Sequence, residues 1–391
     1  HLLPLKHLTS RCPLATNIKN DKSKLGIKGL ATVLNKKMGM TVAHTMGDSN
    51  PSEVVDWIPT GCTWLDGIIC RGKIAGIPVG RITEIAGLEG SGKSYMAAQV
   101  AAGATKKGFE VIYFDSEAAL DFEFLKQAGV NESLFLRVTP QSVEDMFETI
   151  DLILSQGSEN TLFIWDSLAN TPTKSDNSGT FNPQETMALK ARILSKAMQK
   201  LTVPLNESNS TLLVLNQLKT HIPRPGDHIS AMIDPYVTPG GKSMQYASSL
   251  RVYLTGRKSK ASYILDENGY RIGSEVKARI KKSRFASEGR ECFFKILWGD
   301  EVRIQNDESI FEAIKGSTRL KNAGAWYTLV HPDGTEDKFQ SKMWLDKMQE
   351  DKFRSTAMEI FEQEIVLKFA NREGPASEFY DLDSDTQTKA Q

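Results

Sequence analysis

The chain has 391 residues, of which 25% are charged and 40% hydrophobic, the composition of an ordered protein with room for one large domain and smaller satellites. Disorder throughout is excluded, and so is a membrane-spanning helix, because the richest apolar runs are strand-sized rather than the roughly 20 residues a span needs. Lys+Arg and Asp+Glu both total 48, so no global charge marks a polyanion-binding protein, and Cys12, Cys62, Cys70 and Cys292 are too scattered for a zinc site or a disulfide framework.

Residues 1–24 show no sustained period, begin without Met and hold too short an apolar run for a secretory signal, so an extension or a fragment boundary is expected there. Residues 1–40 nonetheless carry eight Lys/Arg against one acid, Asp21, a net of +7. Residues 25–48 predict a short basic helix with Leu30, Val33 and Leu34 on one side, followed by a strand-like segment. From Arg81 the texture changes. Strands are predicted at Arg81 to Ala86, Glu110 to Phe114, Thr161 to Trp165 and Thr211 to Leu215. Between them fall helices at Ser94 to Lys107, Ser142 to Gln156 and Glu185 to Leu201. That alternation predicts an α/β core with a mainly parallel twisted sheet covered on both faces. After Gly240 the pattern becomes hairpin-like, with Leu250 to Leu254, a turn at Asn268-Gly269, Glu275 to Ile280 and Cys292 to Trp298 extending the sheet antiparallel. Residues 274–290 hold six bases and two acids, a run that is either solvated surface or a grip on a polyanion. The expected organisation is an extension over 1–24, an N-terminal helix and strand over 25–58, the core over 59–300, a smaller α/β domain over 301–370 and an acidic disordered tail over 371–391.

Gly87-Leu88-Glu89-Gly90-Ser91-Gly92-Lys93-Ser94 is a GxxxxGKS loop set between a predicted strand and a predicted helix, the context that makes the pattern a phosphate site rather than a Gly-rich turn. Its glycines let amides point inward, Lys93 reaches the β- and γ-phosphates and the Ser94 hydroxyl ligates Mg²⁺. Asp166, ending a buried apolar strand, is the second metal group; a helix cap is the plainer alternative. Glu117, in Asp115-Ser116-Glu117, is the candidate base for an attacking water, and Gln217 the candidate sensor of the γ-phosphate. A surface carboxylate and a satisfied strand-end amide are their bland alternatives.

This constellation resembles the RecA family of ATP-dependent homologous recombinases, including phage UvsX-type members, over Gly29 to Asp346. GRITEIAGLEGSGKS resembles the family's first strand and P-loop, with Leu88 and Gly90 where bacterial members usually carry Pro and Ser. IYFDSEAALD resembles the segment with the catalytic glutamate, WDS the Walker B acid, LNQ the switch glutamine, TPGG (Thr238 to Gly241) the end of the second DNA-binding loop, and KNAGAWY (Lys321 to Tyr327) a C-terminal-domain signature. The resemblance implies that Asp121 and Phe124 hold the adenine. It implies that Lys282 and Arg284, in KKSRF, reach across a filament interface to a neighbour's ATP, Arg284 standing where the bacterial pattern has Lys. A cation supplied in trans would tie hydrolysis to polymerisation.

Two long segments without periodicity, Ala169 to Glu185 and Leu218 to Thr238, then read as DNA-facing loops. The resemblance assigns Arg192, Ser195, Gln199, Gly240, Gly241 and Lys242 to the single-stranded backbone, Gln199 replacing a family Arg and Lys242 a family Asn. Phe181 and Tyr236 are candidates for stacking on bases or for packing on the protein. The implied protein is a cytoplasmic ATP- and Mg²⁺-dependent recombinase forming a helical homo-oligomer on single-stranded DNA, pairing it with double-stranded DNA, and served by mediator and single-strand-binding proteins. Its basic helix would dock protomers, and its acidic tail would compete with double-stranded DNA. Departures from the bacterial pattern lean towards a phage source. A hexameric RecA-fold helicase and a ring-forming regulatory ATPase use the same loop and are the competing readings. A RadA-type paralogue is disfavoured because no four-cysteine cluster exists, and eukaryotic-type recombinases because they place their extra domain at the N-terminus.

Overall fold

In a computed structural model, residues 26–39, 41–48, 53–178, 183–221, 235–256, 262–298 and 302–369 are described, and the chain divides into two units, residues 1–53 and 54–391. The predicted N-terminal extension and acidic tail lie outside the described residues, as do Phe181 and residues 222–234.

In the first unit, α1 (Ile27–Met38) buries no residue and exposes Ile27, Leu30, Val33, Leu34 and Met38. The strand-like segment predicted after it is not a strand among the described residues. Its polar backbone is met instead by Asn35, whose Oδ1 accepts from the amides of Val42 (2.8 Å) and Ala43 (2.7 Å) and whose Nδ2 donates to the Ala43 carbonyl. A side chain thus supplies what a neighbouring strand would, which no hydrophobic pattern announces.

The second unit begins with β1 (Trp57–Ile58), α2 (Thr63–Ile69) and β2 (Ile77–Pro78), and enters the main sheet at β3 (Ile82–Gly87), every residue of which is buried. The order continues α3 (Lys93–Lys106), β4 (Glu110–Asp115), α4 (Phe122–Gln127), β5 (Phe135–Val138), α5 (Val143–Ser155), β6 (Thr161–Asp166), α6 (Lys174–Ser178), α7 (Pro183–Glu207) and β7 (Thr211–Gln217). A short stem, β8 (Lys219–Thr220) with β9 (Tyr236–Val237), precedes α8 (Gly241–Ala247) and β10 (Leu250–Gly256). Then come β11 (Tyr263–Leu265), β12 (Arg271–Ser283), β13 (Glu291–Leu297) and β14 (Arg303–Ile304).

Across the sheet the order is β14-β13-β12-β10-β3-β7-β6-β4-β5, with β11 added beside β12. The strands from β10 to β5 run parallel, and those from β12 outward antiparallel, as the switch from crossover to hairpin texture predicts. Apolar residues alternate between two covered faces. Val111, Tyr113, Leu162, Ile164, Leu213 and Leu215 pack under the alanine-rich α3, whereas Ile112, Phe114, Phe163, Trp165, Leu212 and Val214 pack under α5 and α7. Helix α7 outruns its predicted end at Leu201 because Leu205 extends the buried stripe of Leu194, Met198 and Leu201, even though Pro204 lies inside it. The segment read as an aperiodic loop from Ala169 contains α6, whose start is fixed by Asp176 accepting from the Thr173 amide (2.7 Å) and hydroxyl (2.8 Å).

The last segment holds α9 (Asn306–Ile314), a three-stranded antiparallel sheet of β15 (Leu320–Ala323), β16 (Trp326–Val330) and β17 (Glu336–Gln340), then α10 (Trp344–Lys347) and α11 (Asp351–Phe361). They enclose their own aromatic core, in which Phe311 stacks on Trp344 at 4.6 Å and Phe339 meets Phe353 edge-on at 5.2 Å. Trp64 packs against both this core and that of the sheet. Among the described residues no helix is long and apolar enough to cross a membrane.

Candidate functional site

Parallel strands end together, so the loops at their carboxyl edge converge on one crevice. Strand β3 delivers Gly87 to that edge, β4 delivers Asp115, β6 delivers Asp166 and β7 delivers Gln217. The register sets Gly87 opposite Gln217 and Asp115 opposite Asp166. Four segments far apart in sequence therefore meet around the GxxxxGKS loop.

Glycine is obligatory at two points of that loop. A Cβ on Gly87 would stand 2.1 Å from Ser91 Oγ, and Gly92 has φ +86° with Ile296 Cδ1 2.4 Å from where its Cβ would be. With the turn so tight, α3 starts at Lys93 and its first amides have no acceptor within the helix. Ser91 Oγ is buried and makes no hydrogen bond among the described residues. Lys93 folds over the loop, its Nζ donating to the carbonyls of Gly87 (3.2 Å) and Leu88 (3.0 Å). Burial holds its ammonium below the usual lysine range, opposed by the charges of Asp166, Glu117 and Glu89. Orphan amides, an unpartnered hydroxyl and a half-buried ammonium together make a cradle for phosphate oxygens.

Ser94 Oγ donates to Asp166 Oδ2 at 3.2 Å, and Tyr113 Oη donates to the same oxygen at 2.7 Å. Burial raises the Asp166 carboxyl above the ordinary carboxylate range, partly offset by those two donors. The Tyr113 phenol is pushed well up by burial and by Asp166. A hard dication beside Asp166 would relieve the carboxylate's desolvation, and the hydroxyl and carboxylate oxygens suit Mg²⁺. No group of three or more His, Cys, Asp or Glu among the described residues could hold a metal, so a cation here needs phosphate oxygens to complete its shell.

Glu117 lies exposed at the rim, and Asn170, in the turn after β6, donates its Nδ2 to Glu117 Oε1. Behind it Asp115 is buried, paired with Arg137 at 2.9 Å, and accepts from the amides of Glu117, Ala119 and Leu120. The loop bearing Glu117 is thereby fastened to the sheet. The Gln217 side chain, by contrast, has no hydrogen-bond partner among the described residues and is left available at the crevice. Asp121 caps α4, its Oδ1 accepting from the Glu123 amide at 2.9 Å. The Phe124 ring meets Tyr95 edge-on at 4.8 Å, and Tyr95 in turn lies 5.8 Å from Trp298.

Lys282 and Arg284 are elsewhere. Lys282 stands opposite Arg251, which stands opposite Glu84, three residues before Gly87, and Arg284 is two residues further back, level with Ile82, so the two cations lie about 10 Å and about 16 Å back along the strands from this chain's own loop. There they cap the carboxyl end of α8: Lys282 Nζ donates to the Gln245 carbonyl, and Arg284 to that of Tyr246 at 3.3 Å. Burial and the charges of Arg284 and Arg251 lower the Lys282 ammonium.

The remaining predicted residues share another face. Ser243 Oγ donates to the Ala191 carbonyl (3.1 Å), and Gly240 sits against Leu168 and Leu194, so the start of α8 is clamped to α7. That brings Gly240, Gly241 and exposed Lys242 beside exposed Arg192 and half-buried Ser195. Gln199 is also exposed, seven residues from Arg192 and so about 10 Å further along the helix. Tyr236, half-buried, packs in a small cluster with Leu88, Leu218, Ala86 and Tyr253. Sequence reasoning missed Tyr113, Asn170 and Arg137, because only strand register shows that they reach Asp166, Glu117 and Asp115. It also missed Lys190, whose Nζ donates to the carbonyls of Leu168 (2.8 Å) and Thr171 (2.7 Å) and fastens the segment before α6 to α7.

The family model of the RecA N-terminal domain matches residues 27–303. Among curated proteins the chain is similar to Protein RecA of Wolinella succinogenes, 31% identical over 317 residues that cover 81% of this chain and 85% of that one. Protein RecA of Fusobacterium nucleatum is 32% identical over 311 residues, 79% of this chain and 77% of its own. Protein RecA of Haemophilus ducreyi is 28% identical over 361 residues, 91% and 90% of the two chains.

Proposed function

Since the chain belongs to the RecA family, we propose that it is an ATP- and Mg²⁺-dependent recombinase that polymerises on single-stranded DNA and pairs it with a homologous duplex. The observation that carries this reading is the convergence, at one sheet edge, of the Lys93 cradle, the Ser94–Asp166 pair, the anchored Glu117 and the unpartnered Gln217, with a separate basic face on α7 and α8.

In this mechanism the loop amides and Lys93 hold the β- and γ-phosphates, Lys93 leaving the Gly87 and Leu88 carbonyls for a better acceptor. Ser94 and Asp166 would hold Mg²⁺, which supplies charge neutralisation on the phosphoryl group. Glu117, oriented by Asn170, positions and deprotonates the attacking water. Gln217 takes the γ-phosphate as its hydrogen-bond partner. Asp121 and Phe124 hold the base, α4 using only one oxygen of the Asp121 carboxylate.

Because Lys282 and Arg284 lie back from their own loop, they serve a neighbour's nucleotide, and hydrolysis follows assembly. The uncovered apolar residues of α1 supply the docking surface, and a head-to-tail contact of that kind propagates into an open helix. Arg192, Ser195, Gln199, Gly240, Gly241 and Lys242 follow the backbone of the strand by phosphate contact, which makes binding tolerant of sequence and sensitive to salt. The test is ATP hydrolysis with and without single-stranded DNA, for the native sequence and Glu117→Gln, with electron microscopy of the same samples. Stimulation with open filaments, and a variant that assembles while turnover falls about 10²–10⁴-fold, support the proposal. Closed rings, or turnover indifferent to DNA, refute it in favour of a helicase or a regulatory ATPase.

A further inference from the structure

Strand β3, which delivers the phosphate loop, carries a carboxylate in the middle of the sheet. Glu84 is fully buried, and it stands directly opposite Arg251 of β10, which is 3% exposed. Two charges in so dry a place are costly unless their hydrogen-bonding capacity is met, and such a pair seldom adds stability over apolar side chains of the same volume. What it does supply is fixed geometry. Glu84 Oε2 accepts from Arg251 Nε, and Glu84 Oε1 accepts from Asn216 Nδ2 at 2.7 Å.

Two of the remaining bonds go to one place, while Arg251 Nη2 also donates to Tyr253 Oη at 3.3 Å. Arg251 Nη2 donates to Thr238 Oγ1 at 3.0 Å, and Asn216 Nδ2 donates to the Pro239 carbonyl at 2.9 Å. Thr238 and Pro239 lead straight into Gly240, Gly241 and Lys242. The other end of the Asn216 amide accepts from the Gln217 amide at 2.9 Å. One buried network therefore grips both the strand end that presents Gln217 to the crevice and the turn that begins the basic face. A second contact runs parallel to it. Leu88, inside the phosphate loop, packs in the same small cluster as Leu218, which precedes the β8–β9 stem, and Tyr236, which begins β9, and the Leu218 amide donates to the Gly87 carbonyl at 3.0 Å.

We propose that Glu84, Arg251 and Asn216 are positioning residues that tie the Thr238–Gly241 turn to the nucleotide-facing end of β7, so that occupancy of the phosphate loop and of the single-stranded DNA face are coupled through this network. The inference rests on the proposed recombinase reading and adds to it the route of coupling. Coupling of this kind is reciprocal: nucleotide state alters DNA affinity by the same factor as DNA alters the preference between nucleotides.

The experiment is anisotropy of a labelled oligothymidylate with the full chain, in Mg-ADP and in Mg²⁺ with a non-hydrolysable ATP analogue, at matched salt. Nucleotide affinity is measured in parallel with and without the oligonucleotide. Thr238→Val removes the acceptor of Arg251 Nη2 while keeping the side chain's shape, and Thr238→Ser restores the hydroxyl. Arg251→Lys keeps a charge against Glu84 and gives up the bond to Thr238. The expected result is a ratio of DNA affinities between the two nucleotide states that falls at least tenfold towards one in Thr238→Val and Arg251→Lys and recovers in Thr238→Ser, with the reciprocal nucleotide ratio falling equally. Weakening that is equal in both states, or a ratio unchanged by the variants, overturns the proposal. If the unaltered protein binds the oligonucleotide equally well in both states, the coupling is overturned and the DNA-binding reading stands; if it binds in neither, both are lost.

Discussion

Arg251→Met tests whether the buried pair is a liability that the fold has to satisfy. The substitution removes the bonds from Arg251 to Glu84, Thr238 and Tyr253 and leaves a carboxylate of zero exposure with only the Asn216 amide as a hydrogen-bond partner among the described residues. Breaking one side of a buried pair costs about 3–5 kcal/mol, most of it the desolvation of the charge left behind. Glu84→Gln in the same background removes that charge and keeps an oxygen for Asn216 Nδ2. The double variant should therefore lie within about 1–2 kcal/mol of the native protein and be more stable than Arg251→Met alone, a non-additivity typical of touching groups. Equilibrium urea unfolding, followed by circular dichroism and by tryptophan fluorescence, measures all four corners of the cycle. Should Arg251→Met cost less than about 1 kcal/mol, or the double variant lose as much as the sum of its parts, the pair would not be the sealed, mutually dependent unit described here.

Three other outcomes are expected. Asn170→Ala frees Glu117 from its only side-chain anchor among the described residues, and misplacing the proposed base should lower turnover about 10- to 100-fold with nucleotide affinity retained, checked by steady-state hydrolysis against equilibrium nucleotide binding. Burial pushes the Asp66 carboxyl from its ordinary 3.8 up to about 7, against the Thr60 hydroxyl bond of 2.7 Å that pulls it down. The folded state thus holds this proton more tightly than the unfolded one, so the stabilisation is complete below pH 3.8 and is lost as pH rises through about 7. Asp66→Asn and the native protein should then match near pH 4 and differ by up to ~4 kcal/mol at pH 8 in denaturant titrations, the variant being the more stable. Arg192→Ala with Lys242→Ala removes the two proposed phosphate contacts and should reduce the slope of log affinity against log salt for single-stranded DNA by about 1.4; an unchanged slope would take both residues off the proposed DNA face.

The parts of this fold that could be read from sequence are those whose cause is local. Unbroken apolar runs such as Thr161 to Trp165 identify strands buried on both faces, and the Asn268-Gly269 dipeptide marks the turn between β11 and β12. Strand β5 escaped because it is four residues long, sits at the sheet edge and carries Arg137 where an apolar residue would signal it. Helix α4 escaped because six residues hold too few turns to establish a period. The crevice was legible for a different reason: Gly87, Gly92, Lys93 and Ser94 act from one short loop, so the chemistry is written contiguously. Asp166 and Gln217 each end a recognisable strand and Glu117 follows the end of another by two residues, and a parallel sheet must bring such ends together. Tyr113 and Arg137 lack that advantage, since their partners depend on which strands are neighbours. The same holds for Glu84 and Arg251, which are 167 residues apart and meet only because β10 is inserted beside β3. Read by itself, a glutamate in the middle of an apolar run counts against a central strand. Its presence there is explained only once Arg251, Asn216 and Thr238 are seen to converge on it. The local pattern is broken at the point where the phosphate loop's strand, the strand of Gln217 and the turn into the basic face are fastened together, and a carboxylate can accept at once from donors on β7 and β10, the strands on either side of its own, where an apolar side chain cannot.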